Sequence, residues 1–88
     1  MFDPDRIAAF RDRLDRQHAW PHLYTFKFIV PAARAAEVQH ILSQHQPSFR
    51  QSAQGAYVSL TYQMMMPGSE AVIGVYQSVS HIDGLIAL

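Results

Sequence analysis

The stretch Arg50-Gln51-Ser52-Ala53-Gln54-Gly55-Ala56-Tyr57-Val58-Ser59-Leu60-Thr61-Tyr62 limits the fold more than any other part of the chain. It reads as two strands joined at a glycine: a short one over 49–52, a turn over 53–56 in which Gly55 is free to take positive φ, and a long partner over 57–65. On the partner, Val58, Leu60, Tyr62 and Met64 point one way and Tyr57, Ser59, Thr61 and Gln63 the other, the period of a half-buried strand. The same alternation sends Met66 inward and Met65 outward, so the run Met64-Met65-Met66 reads as core lining more than as an adaptable binding surface. A sheet therefore lies at the centre of the molecule.

The remaining segments can be arranged around that hairpin. Asp3 before Pro4 predicts a helix N-cap with proline at the first helical position, and Ile7, Phe10 and Leu14 form one narrow apolar stripe closed off near Trp20-Pro21. Asp12 and Arg16 are spaced to pair on its outer side. A first strand over 24–30 puts Tyr24, Phe26, Phe28 and Val30 on a buried side, with Thr25, Lys27 and Ile29 opposite. A second helix is expected over 32–44, opened by Pro31, closed by Pro47, and turning Ala35, Val38, Ile41 and Leu42 to the core. After Pro67-Gly68, Ser69 is the expected cap of a third helix over 70–80 with Ala71, Val72, Val75, Tyr76 and Val79 apolar, and a last strand follows Asp83-Gly84 over 85–88.

Without the first helix the order is β-α-β-β-α-β. Two right-handed crossovers sharing one hairpin give an α+β, ferredoxin-like fold, a four-stranded antiparallel sheet with two helices on one face. The chain divides into an N-terminal helical extension, 1–19, and a ferredoxin-like, ACT-like domain, 20–88. The stripe on the extension needs a surface to cover, either the open face of its own sheet or that of a neighbouring chain.

Three segments carry a family resemblance: Pro21-His22-Leu23-Tyr24-Thr25-Phe26-Lys27 leading into the first strand, the hairpin from Arg50 to Thr61, and Ile82-Asp83-Gly84-Leu85-Ile86-Ala87-Leu88 at the close. Together they resemble the YbeD-like family of small bacterial proteins of unknown function, over 20–88. The resemblance implies a ferredoxin-like fold close to the amino-acid-binding ACT regulatory domains, without an established catalytic activity; some members are labelled as proposed regulators of lipoate metabolism. The chain departs from the family pattern at Ala56, where a lysine is more usual, in its methionine run and in its N-terminal helix.

Composition bears on function mainly by exclusion. Seven basic and seven acidic residues leave a formal net charge of zero, which supplies no electrostatic drive towards nucleic acid or an anionic membrane. The strand order is shared with RNA-recognition domains, but the hairpin lacks their basic residue and all but one of the stacking aromatics. With no cysteine there is neither a disulfide scaffold nor a thiolate metal site, and a cytoplasmic location fits. No apolar run approaches the roughly 18 residues of a membrane span, and the acidic start Met1-Phe2-Asp3-Pro4-Asp5 is unlike a signal peptide.

No spacing announces a nucleophile, an acid–base pair or a phosphate loop, so no catalytic residue and no cofactor are assigned. His18 and His22 are four apart but separated by Pro21, His40 and His45 diverge on a helix, and no acidic cluster accompanies either pair, so no metal site is assigned. Glu70 and Asp83 fit capping and turn roles. The candidate surface is Lys27, Arg50, Ser52 and Tyr57. Two strand cations in a chain with 16% charged residues, beside a tyrosine and a hydroxyl, could read a carboxylate or another anion, since the planar fork of arginine matches a carboxylate. Strand cations also shield sheet edges from aggregation, which is the ordinary role for such residues. The expected function is that of a non-enzymatic regulatory or adaptor module that binds a small metabolite or a protein partner, or forms a homodimer. The alternative is a purely structural interaction module, ahead of a small enzyme or an RNA binder.

Overall fold

The computed structural model describes residues 3–88; Met1 and Phe2, counted in the N-terminal extension and its acidic start, lie outside the described residues. In chain order the elements are α1 (Pro4–Gln17), β1 (His22–Pro31), a 3-10 turn (Ala32–Arg34), α2 (Ala35–Ile41), β2 (Ser48–Gln51), β3 (Tyr57–Met66), α3 (Ser69–Val79) and β4 (Ile86–Ala87). The strands form one antiparallel sheet in the order β2-β3-β1-β4. β1 and β3 pair along their whole length, from His22 opposite Met66 to Pro31 opposite Tyr57, and form the centre of the sheet.

Alternation along these strands works as read. Phe26, Phe28, Val30, Val58, Leu60, Tyr62, Met64 and Met66 are buried in one core, whereas Met65 is 62% exposed. The helices contribute Leu14, Ala35, Val38, Leu42, Val72, Ile73 and Val79 to the same core, which places all three helices on one face of the sheet. The other face, carrying Leu23, Thr25, Lys27, Gln63 and Met65, is exposed.

Several expectations need correction. α1 does not cover the open face of its own sheet: it lies along α3, with Phe10 against Tyr76 (ring centroids 5.7 Å apart), Arg11 paired with Glu70 and Leu14 in the shared core. An apolar stripe needs only an adjoining helix edge, and α3 offers one. The second helix starts at Ala32 as expected, with its first three residues in a 3-10 turn, but it ends at Ile41 and not at 44, because beyond Leu42 the segment Ser43-Gln44-His45-Gln46 has nothing apolar to bury before Pro47. Ser69 is not a cap: Gly68 holds that position without a side-chain hydrogen bond, and Ser69 is the first residue of α3 and is buried. Ser52 belongs to the turn and not to β2, and the last strand is two residues long, not four. Asp3 does cap α1, accepting from the amides of Asp5 (2.9 Å) and Arg6 (3.1 Å), and Arg16 pairs with Asp12 at 2.8 Å.

A surface at the hairpin end of the open face

The hairpin turn is built by Ser52. Its backbone N–H donates to the Tyr57 carbonyl (2.9 Å), its carbonyl accepts from Gly55 N–H (3.0 Å), and its hydroxyl accepts from Tyr57 N–H (3.3 Å). Gly55 takes φ +72°, the left-handed region open to glycine. Ala32 N–H, just past β1, donates to the Ala56 carbonyl at 2.9 Å and ties the turn to the middle of the sheet.

Register then decides what stands on the open face beside this turn. Arg50 lies opposite Ser59, which lies opposite Ile29; Thr61 lies between Ser48 and Lys27. A shallow concavity of about 520 Å³ is lined by Lys27, Ile29, Arg50, Ser52, Tyr57 and Ser59 among others, so all four residues singled out in the sequence border one depression. Their parts differ. Arg50 and Lys27 supply charge, Tyr57 a 47%-exposed ring, and Ser52 a hydroxyl already engaged by the turn. Ser59 and Thr61, assigned by alternation to the outward side of the long strand, are half-buried on β3 between the two cations. Only the cross-strand register, invisible before the pairing is known, brings them there.

The electrostatics are one-sided. Among the described residues neither Lys27 nor Arg50 forms an ion pair, whereas Arg6, Arg11, Arg16 and Arg34 each face a carboxylate and Arg13 lies over the Phe10 ring. All seven acids lie outside the strands: Asp3 at the α1 cap, Asp5, Asp12 and Asp15 on α1, Glu37 on α2, Glu70 on α3 and Asp83 after it. Asp83 stands next to Gly84, which packs on Pro31 at the end of β1, but its carboxylate is turned to Arg34 (3.7 Å). Arg34 also donates to Glu37 at 2.6 Å, and that hydrogen bond and charge hold its guanidinium above the ordinary arginine value. A chain of zero net charge thus bears two uncompensated cations on its sheet and the matching excess of acid on its helical side.

The histidines are arranged otherwise than their spacing implies. His18 and His22 do share a site: the chain between α1 and β1 folds back so that their rings stack 4.2 Å apart, with Trp20 and Tyr24 edge-on around them. His40 and His81, distant in sequence, border a second depression of about 360 Å³ with Glu37 and Ile41. Among the described residues no group of three or more histidines, cysteines or acids is placed to hold a metal ion. No helix among them is long and apolar enough to cross a membrane.

No curated protein and no solved structure matches the chain. A family model described as "Protein of unknown function (DUF493)" matches residues 15–88, a span that takes in the end of α1, the whole sheet, α2 and α3, and the YbeD-like resemblance is consistent with it. On that match the chain belongs to the DUF493 family, whose function is unknown.

Proposed function

We propose that this protein is a small non-enzymatic regulatory or adaptor module that binds an anionic, carboxylate-bearing ligand at the hairpin end of its open sheet face. The observation that carries the reading is the pair of cations without an ion-pair partner among the described residues, Lys27 and Arg50, on a sheet whose strands bear no acidic side chain. A cation with no internal partner on a surface with hydroxyls is free to form charge-assisted hydrogen bonds with a ligand, and a depression of about 520 Å³ is within the range of small-molecule sites. We read the order β2-β3-β1-β4, in which each crossover skips one strand, as ferredoxin-like, and the regulatory role by analogy with ACT domains. A thermal-shift screen against carboxylate metabolites tests this through mass action, with Arg50→Ala as control. Stabilisation of the parent that is lost in the variant is expected; identical shifts in both overturn the assignment to this face.

A second reading, a protein-interaction module, is favoured by Leu23 and Met65. They lie directly opposite each other at the far end of the same face and are 50% and 62% exposed. Sedimentation across a range of concentrations tests its simplest form, a homodimer, and a monomer throughout excludes it.

A further inference from the structure

Building on the proposed anion site, we infer that its ligand is a short dianion without a cationic group, a dicarboxylate and not a free amino acid. Two features of the open face lead there, and the first is spacing. Arg50 and Lys27 lie two strands and two residues apart, about 12 Å between Cα atoms at standard sheet dimensions. The line joining them crosses β3 between Ser59 and Thr61. Two separate cationic heads, hydroxyls between them and the Ile29 side chain alongside suit two carboxylates joined by a short hydrocarbon chain lying across β3.

The second feature is what the face lacks. An α-ammonium group displaced from water needs acceptors, and a carboxylate is the strongest of them. The strands and the hairpin turn of this chain hold no acidic side chain, and Asp83, at that end of the molecule, lies 3.7 Å from Arg34. An amino acid seated here would set its ammonium beside Arg50 or Lys27 with no acidic side chain on the strands or the turn to neutralise it. The surface therefore selects against the zwitterions that the ACT comparison suggests, and in favour of the same carbon skeletons without the amine.

Matched pairs make the test direct. Succinate, glutarate and adipate are each titrated at constant ionic strength against aspartate, glutamate and 2-aminoadipate, following backbone amides by two-dimensional NMR. At least one dicarboxylate is expected to shift the amides of Ser59, Thr61 and Tyr57 and to bind about tenfold or more tightly than its amino counterpart. Lys27→Gln and Arg50→Gln, both at exposed positions, are each expected to weaken that dicarboxylate about tenfold while leaving the rest of the spectrum in place. Equal or tighter binding of the amino acids overturns the dianion inference and leaves an anion site standing. If no member of either series moves those amides, the anion site itself falls, and the inference with it.

Discussion

Tyr62 puts a hydroxyl in the middle of the core. Its side chain, on β3, is fully buried in the core, its oxygen has no hydrogen-bond partner, and burial raises its phenol above the ordinary tyrosine value. A buried hydroxyl left unpaired costs desolvation without return, so Tyr62→Phe, which keeps the ring, should leave the protein as stable as before or more stable by about 1 kcal/mol. Urea unfolding checks this, and a loss of more than about 1 kcal/mol would mean that the hydroxyl has a partner in solution, such as a bound water. The sequence shows that Tyr62 points inward, because alternation sets direction, but not that its oxygen goes unmet, because that depends on which atoms from α2 and α3 come near. The same distinction runs through the candidate surface. Arg50 and Lys27 were legible as strand cations; that Ser59 and Thr61 lie between them needed the register of two strand pairs.

Among the elements, those with strong period-two patterns were legible in place and facing, though β1, expected over 24–30, runs from His22 to Pro31, and those held by tertiary contacts were not. β3 begins at Tyr57 as expected and runs one residue beyond the expected Met65. β4 is the opposite case, a strand of two residues whose place is set by Gly84 and not by its own pattern. Gly84 has φ +80°, and a Cβ there would come within 2.8 Å of Pro31 Cγ and 3.1 Å of Pro31 Cδ at the end of β1. The glycine is thus needed twice, for its backbone and for its lack of a side chain, whereas Asp83-Gly84 in the sequence signals no more than a turn. Gly84→Ala should cost about 1–3 kcal/mol and push β4 away from β1. Hydrogen exchange would register the second effect as faster exchange at Leu88, whose amide donates to the Lys27 carbonyl, while Gly55→Ala, at a turn where a Cβ would meet only the Gln51 side chain at 4.0 Å, should leave that amide alone.

At the scale of the whole molecule, α1, α3 and the sheet meet at Tyr76. Its ring lies 5.7 Å from Phe10, 5.2 Å from Phe26 and 6.1 Å from Phe28, and its hydroxyl is 3.3 Å from that of Tyr24. The docking of α1 on α3 was not legible because its stripe is equally suited to any apolar edge; the sequence shows that Ile7, Phe10 and Leu14 need cover, not which element supplies it. Burial first, and the Tyr24 hydrogen bond second, raise the Tyr76 phenol above its usual value. A raised phenol keeps its proton in the folded state at a pH where the unfolded chain has already released it. The stabilisation is then complete below the unfolded value of about 10 and declines as pH climbs from there towards the folded value. Thermal melts taken from about pH 8 to about pH 11 should accordingly hold level and then fall, and Tyr76→Phe should flatten part of that fall, with Tyr62 accounting for some of the remainder. Phe10→Ala carries the test to the α1 interface: removing the ring that covers Tyr76 should destabilise the protein at neutral pH by about 1–3 kcal/mol and, by admitting water to the phenol, bring its titration back towards the ordinary tyrosine value. Absorbance of the tyrosinate form would follow that titration directly, and a profile unmoved by Phe10→Ala would mean that the sheet and α3 shelter Tyr76 without help from α1.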